Sequence, residues 1–149
     1  MRKHSKFIFV LFLVFGCQPA PDFSIDGKKT GRWHQFDGQW LIISYWAEWC
    51  KPCLEEIPLL NEVQSLPNAS VIGINFDNQS LDSIEKVRQK WGMNYPTVQL
   101  NTKAPSQWEM PQMLPAAFIR DPQGQLSGPY YGKAVLEEAV AAFYPNLNH

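Results

Sequence analysis

The stretch SYWAEWCKPCLEEIP, residues 44–58, places two cysteines between two different apolar patterns. Before the cysteines, residues 39–46 form a compact apolar run, rich in β-branched and aromatic side chains and too short for a typical helix, which predicts a central strand. After them, over residues 52–66, apolar side chains recur at close to helical spacing: Leu54, Ile57, Leu60 and Val63. Cys50 and Cys53 are therefore predicted to lie at a strand-to-helix junction.

Two thiols at this spacing have three interpretations. A zinc site needs about four ligands, and the three histidines, His4, His34 and His149, do not supply the others near the pair. A purely structural disulfide would close a very short loop, and short loops stabilise a fold least in the chain-entropy model. We favour the third interpretation, a redox-active disulfide that works without a metal or another cofactor.

The predicted start of a helix at the pair supports redox chemistry. Unpaired backbone N–H groups and the positive end of the helix dipole stabilise an anion, so Cys50 is expected to form a nucleophilic thiolate. Lys51 adds a nearby positive charge, and Pro52 is tolerated in the first turn because its missing N–H would have no helical partner. One turn later, Cys53 is expected on the same side but deeper, where it can resolve a mixed disulfide.

The N-terminus has the outline of an export signal. A basic segment, residues 2–6, precedes an unbroken apolar run over residues 7–15. That run is about half of the roughly 20 residues that a membrane-spanning helix needs, so cleavage is expected in place of a permanent span. The protein is therefore predicted to act at the periplasmic or another extracytoplasmic face.

A cysteine follows the apolar run directly. Residues 14–17, VFGC, resemble the bacterial lipobox, which implies a signal peptide over residues 1–16 and a lipid anchor on Cys17. An ordinary secretory signal with an incidental cysteine is the alternative. Residues 17–32 are rich in Pro, Gly and charge and predict a tether, which leaves one domain over residues 33–149.

The rest of that domain alternates strands and helices. Residues 70–77 and 97–100 predict strands, and residues 81–91 predict an amphipathic helix that stops at Gly92. A hairpin follows, with one strand at 116–120 and a turn at 121–124. A final helix ends before Pro145, with one apolar face made of Val135, Leu136, Ala139, Val140 and Phe143. This pattern predicts an α/β fold with a central mixed sheet and helices on both faces.

The overall charge gives no sign of a nucleic-acid partner. The 149 residues carry a net charge of −1, and no long run of like charges occurs. With 45% hydrophobic residues, the chain has enough apolar side chains for one ordinary core. We expect a monomer whose partners are recognised by local surface.

Two motifs resemble the thioredoxin superfamily. SYWAEWCKPC is similar to the strand, turn and CxPC pair of that family, and Pro58 falls where the family kinks its active-site helix. MLPAAFI, residues 113–119, resembles the loop whose proline is cis, so the resemblance implies a cis bond before Pro115. It also implies that the backbone of Leu114 pairs with an extended substrate. Trp49, next to Cys50, is expected to contact substrate as well.

Within that superfamily, CKPCLEEIP, residues 50–58, resembles the exported, membrane-anchored TlpA/ResA-type thiol:disulfide oxidoreductases. Those proteins carry a glutamate three residues after the second cysteine, where this chain has Glu56. Cytosolic thioredoxins instead carry an aspartate under the dithiol, at the position of Ser44. The resemblance thus implies that Glu56 shuttles the proton of Cys53. The alternative is a solvated helix residue, as we expect of Glu48 and Glu55.

The resemblance implies a thiol:disulfide oxidoreductase that reduces disulfides in exported proteins, with apocytochrome c among the substrates. A membrane thiol-disulfide electron donor would regenerate the dithiol. An oxidant that donates disulfides on the same fold stays open. A peroxiredoxin-like peroxidase is disfavoured because Ala47 stands where such sites carry Thr, and a metal- or haem-handling module is disfavoured because the CxxxC spacing is absent.

Overall fold

The computed structural model describes residues 21–25, 29–100 and 110–144. The predicted signal peptide and Cys17 lie outside these residues. The elements follow in chain order: β1 (Phe23–Ile25), β2 (Lys29–Gly31), a 3-10 helix (Trp33–Phe36), β3 (Trp40–Trp46), α1 (Lys51–Gln64), β4 (Ala69–Asn75), α2 (Leu81–Trp91), β5 (Thr97–Leu100), β6 (Ala116–Arg120), β7 (Leu126–Tyr131) and α3 (Lys133–Phe143).

The strands form one mixed sheet with β3 near its centre. The order is β2-β1-β5-β4-β3-β6-β7. β3, β4 and β5 run parallel, while β6 pairs antiparallel with β3, and β7 and β1 pair antiparallel with their neighbours. The central strands are buried on both faces, and β3 accordingly reads as a continuous apolar run. The predicted α/β fold with a mixed sheet is confirmed.

The two faces of this sheet are covered unequally. The chain passes from β3 to β4 to β5 in one direction, so right-handed connections place α1 and α2 on the same face. Residues of α1, α2 and α3 all belong to the core cluster on that face, around Ile42 and Val71. The opposite cluster, around Ile43 and Ile72, contains Phe36 of the 3-10 helix. We predicted helices on both faces of the sheet. Among the described residues, all three α-helices cover one face, and the other face has only the 3-10 helix.

The sheet begins earlier than the sequence predicts. Residues that we assigned to a tether form β1 and β2, and β1 pairs with β5. Phe23 is fully buried, and its ring lies 4.6 Å from that of Trp33. A Cβ on Gly31 would lie 2.2 Å from the Phe23 ring, so the glycine makes room for it. The domain boundary predicted at residue 33 is therefore too late, because β1 pairs with both β2 and β5 and contributes the buried Phe23 to the core.

The helix ends and the hairpin follow their local signals. Ser80 caps α2 by accepting a hydrogen bond from the Ser83 N–H, and Gly92 ends the helix in the left-handed region at φ 66°. In the β6–β7 turn, the Gln125 N–H donates to the Asp121 carboxylate at 2.7 Å. The predicted stop at Gly92 and the predicted hairpin are confirmed.

The predicted apolar faces of α1 and α3 need correction at their first residues. Leu54 is 37% exposed and Val135 is 48% exposed, whereas Ile57, Leu60 and Leu136 are buried. Residues three apart drift by about 60° around a helix of 3.6 residues per turn. A face centred on Ile57 and Leu60 therefore leaves Leu54 at its margin.

Candidate active site

The carboxyl end of β3 delivers the two cysteines to the start of α1. The Cys50 N–H donates to the Ala47 carbonyl at 3.0 Å, and the Cys53 N–H donates to the Cys50 carbonyl at 3.1 Å. Cys50 is the N-cap residue of α1, and Cys53 lies in its first turn. The two sulfurs are joined in a disulfide with a Cα separation of 5.4 Å. The structure thus has an oxidised pair at a helix N-terminus.

The surroundings of Cys50 favour an anionic sulfur after reduction. The N-cap residue of α1, Cys50, makes no side-chain capping hydrogen bond in the disulfide form, and the helix N-terminus can therefore stabilise its thiolate after reduction. Lys51 is exposed beside the pair, and Pro52 occupies the second helical position. Cys50 is 3% exposed and Cys53 is 4% exposed, so depth does not distinguish them. The prediction that Cys53 lies deeper than Cys50 is therefore not supported by their exposure. Their assignment as nucleophile and resolving thiol depends on their positions in the helix.

A proline loop reaches the same edge of the sheet. The Leu114–Pro115 peptide bond is cis. Ala116 pairs with Tyr45 in the antiparallel β3–β6 ladder, so one further step places Pro115 beside Trp46, at the end of β3 that leads to Cys50. Leu114 is partly buried and packs against the core cluster that contains both cysteines. The fold thus brings together two segments about sixty residues apart in the chain.

Glu56 lies on the buried side of α1. Its side chain is 1% exposed, and neither carboxylate oxygen has a hydrogen-bond partner among the described residues. It follows Cys53 by three residues, so the two share a helix face. Burial raises the pKa of Glu56 to about 7. A carboxyl group that exchanges its proton near neutral pH is therefore held on the helix face of Cys53, while Glu48 and Glu55 are exposed.

Further polar groups lie in the same interior. Tyr95 is 1% exposed; burial and, secondarily, the charge of Glu56 raise its pKa above the usual value. A Cβ on Gly73 would lie 3.0 Å from Trp46 Nε1 and 3.2 Å from the Tyr95 ring, so Gly73 allows both side chains to approach β4. Trp46 Nε1 has no hydrogen-bond acceptor in the described part of the chain. We call Trp46, Glu56 and Tyr95 the floor of the site.

Two large apolar side chains next to site residues in the chain are exposed. Trp49 is 64% exposed, and Met113, next to Leu114, is 60% exposed. The Trp49 indole is hydrogen-bonded, since its Nε1–H donates to the Asp77 carboxylate at 3.0 Å. We call Trp49, Asp77 and Met113 the rim of the site.

Sequence reasoning missed Asp77 and Tyr95, whereas Met113 is the first residue of the MLPAAFI motif that the sequence analysis singled out. We assigned Asp77 to the end of a strand, but β4 stops at Asn75, so Asp77 lies in the loop beyond its carboxyl end. Parallel strands collect their following loops at one edge of a sheet, and functional groups gather there. The parallel pairing of β3 and β4 would therefore have pointed to Asp77, whereas no local signal marks Tyr95.

The described residues contain neither a metal-binding cluster nor a membrane-spanning helix. Within residues 21–25, 29–100 and 110–144, no group of three or more His, Cys, Asp and Glu side chains is arranged to hold a metal ion. Over the same ranges, each helix is too short or too polar to cross a bilayer. Ala47, at the position that carries Thr in peroxiredoxin-type sites, is fully buried.

Several known proteins are similar to this chain in sequence or in fold. The thiol-disulfide oxidoreductase ResA of Geobacillus kaustophilus is 30% identical over 84 residues, which are 53% of this chain and 48% of ResA. The chain thus spans about half the length of that curated relative. A solved thiol:disulfide interchange protein of the thioredoxin family from Chlorobium tepidum has 25% identity and a TM-score of 0.59, covering 83% of this chain and 94% of that one.

A third comparison has a different printed activity. The bacterioferritin comigratory protein of Xanthomonas campestris, described as reducing alkyl peroxides, has a TM-score of 0.62 at 17% identity. The match covers 86% of this chain and 91% of the Xanthomonas protein. At that identity the likeness shows the fold alone. The predicted thioredoxin-like fold is confirmed by these neighbours. The AhpC/TSA family matches residues 17–128, three quarters of the sequence, and the chain belongs to that family.

Proposed function

We propose that this protein is a thiol:disulfide oxidoreductase that reduces disulfides in exported proteins through Cys50 and Cys53. The observation that carries the proposal is the Cys50–Cys53 disulfide at the N-terminus of α1. The similarity to ResA supports the same activity. The redox pair itself carries the electrons, so no separate cofactor takes part.

The reaction is a pair of thiol–disulfide exchanges. In the reduced protein, the Cys50 thiolate attacks one sulfur of a substrate disulfide, and the other substrate sulfur leaves as a thiolate. Cys53 then gives up its proton and attacks the Cys50 sulfur, which releases the second substrate thiolate and forms the Cys50–Cys53 disulfide. The substrate gains two electrons and the protein loses two. A membrane thiol-disulfide electron donor returns them.

Glu56 is proposed to accept the proton of Cys53. Its carboxylate is buried on the same helix face and has no hydrogen-bond partner among the described residues, and its pKa is raised to about 7 by burial. A base with a pKa near the working pH contributes most to such a transfer. We expect Glu56→Gln to lower the exchange rate at pH 7 to 8 by roughly 100-fold or more and to remove an ionisation near pH 7.

The exposed neighbour gives the control for that substitution. Glu55→Gln removes the same charge one residue earlier, from a side chain that faces solvent. It is expected to retain the wild-type pH profile. If Glu56→Gln also retained it, Glu56 would have no part in the proton transfer.

Substrate binding is assigned to the segments beside the pair. The backbone of Leu114 would pair with an extended substrate segment, with the cis Pro115 fixing the loop, and Trp49 would supply an aromatic contact. Lys51 and Pro52 would tune the thiolate. Apocytochrome c and damaged exported proteins are the substrates that fit this activity, and a monomer is sufficient for it.

The location is proposed from the N-terminal sequence. Residues 1–16 would direct export, and a lipid on Cys17 would hold the domain at the extracytoplasmic face of a membrane. Incorporation of labelled palmitate is expected in wild type and absent in Cys17→Ala. Labelling that survives this substitution would contradict lipidation at Cys17.

The reduction potential tests the direction of electron flow. A fragment starting at Gln18 contains the described fold and can be equilibrated in dithiothreitol or glutathione buffers before its free thiols are alkylated. We expect a potential near or below about −270 mV, the value of thioredoxin, which would make the protein a reductant. A potential near about −120 mV would identify a disulfide donor and overturn the proposed direction.

A peroxidase is the second candidate, because a peroxide-reducing protein shares the fold. The buried Ala47 argues against it, since it supplies no hydroxyl near Cys50. Rapid consumption of hydrogen peroxide by Cys53→Ser, which retains Cys50, would favour the peroxidase. A reaction no faster than that of a free thiol would eliminate it.

A further inference from the structure

The indole of Trp49 is largely exposed, yet it makes a specific hydrogen bond. The side chain is 64% exposed and adjacent to Cys50, so apolar packing alone leaves much of the ring uncovered. Its Nε1–H donates to Asp77 Oδ2 at 3.0 Å, across 28 residues of sequence. Hydrogen bonds to a carboxylate are stronger than those between neutral groups. This contact therefore restrains rotation of the ring.

The loop that carries Asp77 is itself held in place. The Gln79 N–H donates to Asn75 Oδ1 at 3.0 Å, and the Gln99 side chain donates to the Gln79 carbonyl at 3.1 Å. Asn78, directly after Asp77, adopts the left-handed region at φ 49°, which asparagine tolerates better than most residues. The carboxylate thus projects from a turn that is fixed to both β4 and β5.

Other contacts tie the same side of the molecule to the turn that holds Trp49. Lys90 of α2 lies 3.7 Å from the Glu48 carboxylate. The Trp91 and Trp46 rings lie 5.5 Å apart in an edge-to-face arrangement. The segment 46–49 is therefore flanked by α2 and its preceding loop, and Asp77 supplies the hydrogen bond that reaches the exposed indole.

We infer that Asp77 is a positioning residue that holds the Trp49 indole as a fixed docking surface for a polypeptide substrate beside the Cys50–Cys53 pair. The inference rests on the proposed function and assigns part of its substrate recognition to the β4–α2 loop. An indole fixed before binding loses less conformational freedom when a substrate docks. The effect should therefore fall on substrate binding, and on polypeptide disulfides more than on small ones.

The test compares two substrates over a set of full-length variants. One substrate is a disulfide-linked peptide of about ten residues, and the other is 2-hydroxyethyl disulfide, which is too small to span the indole. Asp77→Ala removes the acceptor, Asp77→Asn retains an oxygen acceptor, and Trp49→Phe removes the donor. Asp82→Ala removes one negative charge from an exposed position nearby and serves as the matched control.

We expect Asp77→Ala to raise KM for the peptide by about three- to tenfold, with a clearly smaller effect on the small disulfide. Asp77→Asn should recover most of this loss, and Asp82→Ala should show none. In a Trp49→Phe background, Asp77→Ala should cause little additional loss, because the bond it removes is already absent. Equal losses in both backgrounds, or equal losses for both substrates, would overturn the inference.

The NMR resonance of the Trp49 indole N–H provides a measurement that does not depend on activity. It is assigned by its disappearance in Trp49→Phe and should move in Asp77→Ala but hardly at all in Asp82→Ala. An unchanged resonance would mean that the hydrogen bond does not form in solution. Failure of the wild type to reduce either disulfide would instead contradict the proposed function itself, even with the resonance shifted as expected.

Discussion

Trp46 and Trp49 lie three residues apart and represent two different regions of the site. Trp46, in the floor, is 1% exposed and its Nε1–H has no acceptor among the described residues. Trp49, in the rim, is 64% exposed and its Nε1–H is bound by Asp77. In the floor, burial fixes the side chains and leaves polar groups unsatisfied. In the rim, a hydrogen bond fixes a side chain that remains available to a partner.

Substitutions in the floor should therefore affect chemistry and stability, and substitutions in the rim should affect recognition. An unsatisfied buried group costs free energy of folding and changes its proton affinity. An exposed ring costs little to remove and matters when a partner covers it. The two regions can therefore be separated by experiments that measure stability and substrate binding in the same variants.

The largest effect is expected at the disulfide between the two regions. Cys50→Ser should reduce disulfide exchange by at least roughly a thousandfold, because a serine hydroxyl does not form the thiolate that attacks. Cys53→Ser should instead accumulate a mixed disulfide between Cys50 and the substrate, since the resolving thiol is absent. Mass spectrometry after a brief incubation with a peptide disulfide distinguishes the two. A stable adduct on Cys53 in Cys50→Ser would reverse the assigned roles.

The next largest effect is expected from the loss of packing in the floor. Trp46→Ala is expected to lower the free energy of unfolding by about 3–5 kcal/mol, because it removes a fully buried indole from the core. Urea unfolding followed by circular dichroism measures this loss. Trp40→Ala is a comparison from the same strand, where the ring is only partly buried. A loss below about 1 kcal/mol for Trp46→Ala would show that the floor is not tightly packed.

The charge of the floor is tested through pH. The pKa of Glu56 is raised from 4.5 to about 7 in the folded protein, so folding binds a proton between these values. Stability from this group is complete below about pH 4.5 and is lost as the pH rises through 7, a loss of about 3 kcal/mol. The free energy of unfolding of Glu56→Gln minus that of wild type should therefore be larger at pH 8 than at pH 4.5.

Unfolding curves of both proteins at several pH values measure that difference. Glu55→Gln, in which the exposed neighbour changes, should follow wild type throughout. A stability difference between Glu56→Gln and wild type that does not depend on pH would mean that the carboxyl group is solvated in the folded protein.

The contrast between floor and rim also separates what the sequence could predict from what it could not. The apolar run before Cys50 and the helical spacing after it placed the pair at a strand-to-helix junction, because these are local patterns. Burial of Glu56 beside exposed Glu55 depends on the phase of α1 against the sheet, and the resemblance of CKPCLEEIP to a family supplied that assignment. Asp77 and the β1–β5 pairing join residues far apart in the chain, and no local pattern encodes such contacts.

The smallest effect on stability is expected in the rim. Trp49→Ala should change the free energy of unfolding by no more than about 0.5 kcal/mol, since the ring is mostly exposed and its hydrogen bond to Asp77 lies at the surface. The same variant should weaken binding of a peptide disulfide, measured as KM, while Trp46→Ala should lose stability first. If Trp49→Ala instead unfolded as readily as Trp46→Ala, the ring would be part of the core. Recognition of the substrate would then be assigned to the Leu114 and Met113 side of the pair, because Trp49 is the only aromatic residue among the three described residues that we call the rim.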